Sequence, residues 1–240
     1  MPDAPAPLLM LPGLMCDARM FVPQLAAVDG ALAVDGYGDA GSLEAMAQVA
    51  LANAPERFSL LGHSMGGRVA LEVWRLAPER VERLALLDTG THPVRAGEAE
   101  GRYALRDLGR SKGIAALVDA WLPPMVHPDR RDDLALLQPM RDMVMAGGVD
   151  RYERQISALL NRPDPTHDLH IIACPTLVAT GAQDNWSTPE QHQEIAAAIP
   201  GSILRIFEHC GHMAPLEAPD HVNAAIAKWL NLPIDEKERI

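Results

Sequence analysis

The sequence predicts an α/β fold: a mostly parallel sheet of about six strands, helices on both faces and an inserted helical segment. Short apolar runs alternate with longer amphipathic stretches, which is the pattern of a parallel sheet buried between helices. Hydrophobic residues make up 48% of the 240 residues, enough for a substantial core. The alternation stops over residues 91–170, which contain no convincing strand.

The predicted strands are short apolar segments, each bounded by Gly, Pro or Asp. Their composition and spacing are typical of strands in a parallel sheet whose two faces are covered by helices. They span residues 8–11, 31–37, 58–62, 83–88, 176–181 and 202–207.

The predicted helices between these strands have recognisable start and stop residues. Ser42 is a candidate N-cap, Pro78 stops a helix that follows a strand directly, and Pro189 occupies the first turn of a third helix. Helices are predicted over residues 43–52, 65–77, 189–198 and about 220–230.

The segment 91–170, called here the insert, is predicted to form three or four short helices. The expected domains are therefore a core of residues 1–90 and 171–240 and a helical cap of residues 91–170. The apolar faces of the insert are compatible with simple packing on the core or with a lid over a substrate. The candidate substrate-pocket residues are Trp121, Met125, Met143 and, outside the insert, Trp186.

The strongest chemical signal is Gly62-His63-Ser64-Met65-Gly66, which follows an apolar strand and opens an amphipathic helix. A nucleophilic serine at a sharp strand-to-helix turn has a strained backbone, and its flanking positions leave no room for side chains. The two glycines satisfy that requirement. Ser64 is therefore the predicted nucleophile, and the Met65 amide at the helix start is a predicted oxyanion donor.

A serine nucleophile needs a histidine base and a carboxylate that orients the base. His212, on a loop before the last helix, is the predicted base, and His209 is the competing candidate nearer the strand. Asp184 follows the carboxyl end of a strand, where catalytic groups collect in open α/β sheets, and is the predicted acid. Asp88, at the end of another strand, is the alternative acid.

The second oxyanion donor is expected in the loop after the first strand. Pro12-Gly13 allows a sharp turn there, so that the next amide, that of Leu14, is predicted to point into the site.

Composition excludes several other functions. A net charge of −11 without a localised basic patch argues against nucleic-acid binding. No apolar run is long enough to span a membrane, so we expect no membrane partner. A metal site at His209, Cys210 and His212, joined by Cys174, lacks acidic ligands and paired spacing, so we expect no metal and no other cofactor.

Cellular location is predicted from the cysteines and the start of the chain. Three cysteines are too few and odd in number for a disulfide framework, and residues 1–13 lack the basic region of a secretory signal. The cytoplasm is therefore the expected compartment. The expected partner is a small-molecule substrate, and the oligomeric state stays open.

Together these motifs resemble the α/β-hydrolase superfamily over nearly the whole chain. LPGLMCD resembles its oxyanion loop, GHSMGG its nucleophile elbow, GAQD its acid turn and CGHMAPLEAP its histidine loop. The resemblance implies a helical cap after the sixth strand of the family's sheet, where the insert falls. The sequence departs from the family in having Pro12 where many members have histidine, and in having only seven residues before Leu8. The sheet is therefore expected to lack the family's first two strands.

The leading functional prediction is a serine hydrolase that cleaves a small, mainly apolar carboxylic ester or lactone through an acyl-enzyme. Carbon–carbon bond hydrolases, thioesterases and lyases in the superfamily share the same triad, and they remain alternatives. So does a non-enzymatic receptor for a small signalling ligand.

Overall fold

Strands that were predicted from apolar runs assemble into one parallel sheet. The computed structural model describes residues 6–234, and residues 1–5, which contribute to the prediction of the compartment, lie outside that range. The strands are β1 (Leu8–Leu11), β2 (Leu32–Ala33), β3 (Phe58–His63), β4 (Val81–Leu87), β5 (Thr176–Gly181) and β6 (Ile203–Phe207). Over the described range their order is β2-β1-β3-β4-β5-β6 and every pairing is parallel, which confirms the predicted fold class.

The register of the central strands brings the segments that follow them to one edge of the sheet. In β1 and β3, Leu11 pairs with Gly62, and His63 of β3 pairs with Leu87 of β4. Every residue of β3 and β5 is buried, as expected for strands covered on both faces. The loops after β1, β3, β4, β5 and β6 therefore meet at the carboxyl edge, where ligands bind in open α/β sheets.

The strand predicted over residues 31–37 is much shorter, since β2 contains only Leu32 and Ala33. Gly36 has a φ of +86°, which ends the extended backbone. The strand is at the sheet edge and pairs with β1 alone, so few hydrogen bonds favour its extension.

Nine α-helices surround the sheet within residues 6–234. The two helices predicted over 43–52 and 189–198 have those bounds, and Ser42 Oγ accepts the N–H of Ala45 as an N-cap should. The helices are α1 (Val22–Ala27), α2 (Leu43–Ala52), α3 (Met65–Leu76), α4 (Glu98–Lys112), α5 (Ile114–Trp121), α6 (Leu134–Leu160), α7 (Pro189–Ala198), α8 (Ala214–Glu217) and α9 (Pro219–Leu230).

The insert is helical as predicted, but its helices are longer than expected. Residues 91–170 are all described; they contain α4, α5 and α6 and no strand, and the three helices pack against one another. Helix α6 has 27 residues and is interrupted at Gly148, whose φ is +68°. Pro139 lies inside its first part. The division into a core and a separate cap stays a prediction.

None of the helices in residues 6–234 combines the length and the apolar composition that a membrane span requires.

Candidate active site

Ser64 occupies a sharp turn between β3 and α3. Its backbone has φ +55° and ψ −118°, a conformation that L-residues rarely adopt. The turn is held on both sides, because the Ser64 N–H donates to the Leu87 carbonyl at 2.9 Å and Thr89 Oγ1 donates to the Ser64 carbonyl at 2.6 Å. The Ser64 side chain is thereby directed away from the sheet and into a cavity.

The glycines on either side of Ser64 are required by close backbone packing. A Cβ at Gly62 would lie 2.2 Å from the Gly66 carbonyl oxygen, and a Cβ at Gly66 would lie 2.1 Å from the Leu11 carbonyl oxygen. Neither neighbour is a flexible side-chain end, so the backbone itself would have to move. The backbone contacts of Gly62 and Gly66 thus explain why glycine occupies the positions two residues before and two residues after Ser64.

His212 lies between Ser64 and Asp184. Its Nε2 is 2.8 Å from Ser64 Oγ, and its Nδ1 is 2.7 Å from Asp184 Oδ2. The structure therefore brings together the three side chains that were predicted as nucleophile, base and acid. They come from the ends of β3, β5 and β6, which meet at the carboxyl edge of the sheet.

Asp184 is held as a carboxylate by its surroundings. Its Oδ1 accepts the backbone N–H groups of Trp186 at 2.8 Å and Ser187 at 2.9 Å, and Thr180 Oγ1 donates to Oδ2 at 3.2 Å. Burial alone would raise the pKa of Asp184, but His212 and the N–H groups of Ser187 and Trp186 outweigh burial and lower it. Conversely, burial alone would lower the pKa of His212, and the Asp184 charge outweighs it, so that the pKa is raised.

Asp88, the alternative acid, contacts backbone amides and His63 instead of the His212 imidazole. It is fully buried; its Oδ1 accepts the Gly181 N–H at 3.1 Å and its Oδ2 the Ala214 N–H at 3.3 Å. Oδ2 is also 3.4 Å from His63 Nε2, which donates to the His212 carbonyl at 2.7 Å. Asp88 and His63 therefore support the loops that carry the site, and Asp184 is the carboxylate at the His212 imidazole.

The other histidine considered, His209, is exposed, and its ring lies 5.9 Å from that of His127. It is not beside Ser64. Throughout residues 6–234, no group of three or more His, Cys, Asp or Glu side chains is arranged to hold a metal ion. The neighbouring Cys210 is buried, and burial raises the pKa of its thiol.

The two residues whose backbone amides were predicted as oxyanion donors lie at the cavity. Leu14 and Met65 both line the cavity beside Ser64 and His212. The Met65 N–H is the first of α3, so it has no partner within the helix. In the described part of the chain, neither amide donates to a protein acceptor.

The loop of residues 12–17 contains the predicted oxyanion donor Leu14 and is called here the oxyanion loop. It is held by distant side chains that the sequence did not indicate. Met15 has a φ of +61°, and its N–H donates to Gln155 Oε1 on α6 at 2.7 Å. Tyr37 Oη donates to the Pro12 carbonyl at 2.9 Å. Gln155 lies 140 residues from Met15, so no local pattern indicated the contact.

Met143, which was predicted to line the substrate pocket, is not among the residues that line the cavity over Ser64. Its side chain is buried, and its sulfur accepts the Asp17 N–H at 3.2 Å, so it packs against the oxyanion loop. Helical spacing cannot tell which face of α6 meets the loop and which meets the cavity.

A cavity of about 550 Å³ opens over Ser64 and His212. Trp121, Met125 and Trp186, three of the predicted pocket residues, lie on its wall. Trp121 and Met125 are buried, whereas Trp186 is 40% exposed. The cavity wall also includes arginines that the sequence analysis did not single out. Arg68 follows Ser64 by four residues on α3, a spacing that could have indicated it.

The sequence is similar to a known protein family and to several known proteins. The model of the alpha/beta hydrolase family matches residues 8–225. The dihydrolipoyllysine-residue acetyltransferase component of an acetoin cleaving system from Pseudomonas putida is 30% identical, over 93% of this chain and 63% of that protein. A 2-hydroxy-6-oxononadienedioate/2-hydroxy-6-oxononatrienedioate hydrolase from the same organism is 29% identical, over 73% of this chain and 63% of the relative.

Solved structures show a similar fold over nearly the whole chain. A thermophilic esterase from Thermogutta terrifontis, solved with malate bound, superposes with a TM-score of 0.84 and 28% identity. The match covers 94% of this chain and 89% of the esterase. Against the curated relatives, by contrast, the chain spans less than two thirds of their length.

Proposed function

The chain belongs to the alpha/beta hydrolase family, and we propose that it is a serine hydrolase that cleaves a small carboxylic ester or lactone. One observation carries the proposal: Asp184, His212 and Ser64 form a continuous hydrogen-bonded chain that ends in a cavity. Such a chain activates a hydroxyl that is otherwise a weak nucleophile. The similarity to an esterase at 28% identity supports the reaction class.

In the first half of the proposed reaction, Ser64 Oγ attacks the carbonyl carbon and its proton passes to His212 Nε2. The carbonyl electron pair moves to the oxygen, which accepts hydrogen bonds from the Met65 and Leu14 amides. Asp184 keeps the imidazole in the right tautomer and stabilises its positive charge. The tetrahedral intermediate then collapses, the bond to the alcohol oxygen breaks, and His212 protonates that oxygen.

In the second half, water attacks the acyl-enzyme and gives a proton to His212. The bond between Ser64 Oγ and the acyl carbon breaks, and His212 returns the proton to Ser64. The products are a carboxylic acid and the free enzyme; a lactone gives one hydroxy acid. Within the protein, the Ser64 proton needs to travel only the 2.8 Å between Oγ and His212 Nε2.

The proposal is tested with a series of 4-nitrophenyl esters of increasing acyl length. We expect turnover by the wild type and a loss of at least about 1,000-fold in Ser64→Ala. Ser111→Ala is the matched control, because Ser111 is exposed on α4 and does not line the cavity. Equal activity in Ser64→Ala and wild type would contradict the proposal. So would thermal stabilisation by small ligands without any turnover, the result expected of a receptor.

A carbon–carbon bond hydrolase is a second candidate, favoured by the 29% identity to a hydrolase of that kind. The proposed triad and oxyanion donors also suit that reaction. The two candidates are separated by comparing kcat/KM for the best 4-nitrophenyl ester with kcat/KM for 2-hydroxy-6-oxononadienedioate. A higher value for the ester supports the leading proposal, and a higher value for the dienedioate supports the second candidate.

A further inference from the structure

The cavity over Ser64 has a strongly basic wall in an acidic protein. Three arginines line it, Arg68, Arg95 and Arg102, with Glu98 as a fourth charged residue. These four side chains sum to +2, whereas the whole chain carries −11. Such a reversal of charge inside a cavity favours an anionic ligand.

Glu98 does not neutralise Arg68 and Arg95, because its carboxylate already pairs with two other arginines. The buried Arg162 binds both of its carboxylate oxygens, at 2.6 and 2.7 Å, and Arg102 Nη2 binds Oε1 at 2.9 Å. Burial alone would raise the pKa of Glu98, but the hydrogen bonds from Arg162 and Arg102 outweigh it and lower the pKa to about 2. Arg162 and Arg102 thus share the single charge of Glu98, which forms no ion pair with Arg68 or Arg95.

Arg68 is the unusual member of this group. It is only 8% exposed, yet it forms no ion pair with any residue of the described chain. Its one hydrogen bond runs from Nη2 to the His92 carbonyl at 3.2 Å, an oxygen that also accepts from Arg162. Burial, and then the charge of Arg162, lowers the pKa of Arg68 to about 9, so the guanidinium is still charged at pH 7.

A buried, unpaired guanidinium is unfavourable unless a partner arrives with the ligand. Arg68 lines the cavity and lies on α3, four residues after Ser64, which is about 6 Å along a helix axis. Arg95 is exposed at the same cavity, and its side chain makes no ion pair within residues 6–234. His92 also lies on this wall. Burial lowers the pKa of its imidazole below the ordinary histidine value, so His92 adds no positive charge at pH 7.

We propose that Arg68, with Arg95 beside it, binds a carboxylate of the substrate, so that the substrate is a monoester of a dicarboxylic acid or a lactone of a hydroxydicarboxylic acid. This inference rests on the proposed serine hydrolase and specifies its substrate class. The planar guanidinium matches a carboxylate better than a point charge would. The carboxylate lies a few carbon atoms from the carbonyl that Ser64 attacks. The apolar wall formed by Trp121 and Met125 remains available to the rest of the molecule.

The test compares each mono-4-nitrophenyl ester of succinic, glutaric and adipic acid with its neutral methyl 4-nitrophenyl diester. The measured quantity is the ratio of the two kcat/KM values, after subtraction of uncatalysed hydrolysis. We expect a wild-type ratio of at least about ten for the best chain length. Arg68→Gln should lower that ratio about tenfold to a hundredfold, the usual effect of losing a charged hydrogen-bonded contact.

Two further variants keep the test decisive. Arg95→Gln changes an exposed residue and should lower the ratio about twofold to fivefold, since a rim charge acts through solvent. Lys112→Gln removes one positive charge at the exposed end of α4, away from the cavity, and should leave the ratio unchanged. A wild-type ratio near one, or a ratio that is the same in wild type and Arg68→Gln, would overturn the proposal.

A binding measurement separates this inference from the proposed function. Glutarate, added without any ester, should raise the melting temperature of the wild type, and the rise should be lost in Arg68→Gln. Stabilisation by glutarate without ester turnover would refute the hydrolase and keep the carboxylate site. Turnover of neutral esters with no effect of glutarate, or with stabilisation only by inorganic phosphate, would refute the carboxylate site alone.

Discussion

Replacing Gln155 with leucine tests whether a side chain on α6 positions the oxyanion loop. The Met15 N–H donates to Gln155 Oε1 at 2.7 Å, and both residues are buried. Met15 has a positive φ, so this part of the loop is strained and depends on contacts outside itself. Leucine has a similar size and no acceptor. The substitution therefore removes the hydrogen bond while it keeps most of the packing.

The expected magnitudes follow from these contacts. Leaving the buried Met15 N–H unpaired costs about 1–3 kcal/mol of folding stability. Complete loss of an oxyanion donor lowers turnover about 100-fold to 1,000-fold. Leu14 precedes Met15 directly, so a displaced loop loses part of that effect. We expect kcat to fall about 10-fold to 100-fold and KM to change less than about threefold, because the oxyanion contact forms mainly in the transition state.

The assay measures kcat and KM on a 4-nitrophenyl ester together with urea unfolding. Gln138→Leu is the matched control, since Gln138 is an exposed glutamine on the same helix. Activities are compared under conditions where the unfolding curves show each variant to be folded. If Gln155→Leu loses stability but keeps the wild-type kcat, Gln155 supports the fold without positioning the loop, and the prediction fails.

Three further predictions concern the proposed acid, the pH dependence and the elbow. Asp184→Asn should lower kcat by about 1,000-fold to 10,000-fold with little loss of stability. Asp88→Asn should mainly lower the free energy of unfolding, by about 1–3 kcal/mol as measured by urea unfolding. If instead Asp88→Asn has the larger effect on kcat, Asp88 is the catalytic acid. In pH profiles, kcat/KM should fall as the pH drops through the raised pKa of His212, because the protonated imidazole cannot accept a proton, and this limb should move to lower pH in Asp184→Asn. An unmoved limb would contradict the stated cause of the shift. Gly66→Ala should destabilise the protein by several kcal/mol or prevent its accumulation, roughly the upper range for overpacking. At Gly101 on α4 a Cβ would meet nothing within 4 Å, so Gly101→Ala should stabilise the protein by about 0.5–1 kcal/mol. Equal melting temperatures for the two variants would show that the close approach at the elbow is not rigid.

The elements of the core were predictable where local signals coincide. Ser42 as an N-cap and Pro189 in a first turn set the starts of α2 and α7, which have the predicted bounds. Strand β2 was overestimated, since apolar composition does not reveal a positive φ at Gly36 or an edge position. In the insert, three or four short helices were predicted, whereas α6 alone runs over 27 residues and continues past the non-helical Gly148.

In the candidate site, too, the features that depend on neighbouring residues were predictable, and those that depend on distant residues were not. The turn at Ser64 and the loop of His212 were found because their glycines lie next to them in the sequence. The contact between Gln155 and Met15 spans 140 residues and depends on how α6 packs, so no pattern along the chain predicts it. The unpaired state of Arg68 was equally out of reach, because it depends on Glu98 being occupied by other arginines.

The proposed reaction depends above all on an activated Ser64 hydroxyl. Reaction of the wild type with a fluorophosphonate, followed by peptide mass spectrometry, tests it most directly. We expect one phosphonyl group per chain, on Ser64, with a rate that falls sharply in Asp184→Asn and labelling that disappears in Ser64→Ala. An unlabelled Ser64 in a protein that still hydrolyses esters, or a label on another residue, would contradict it.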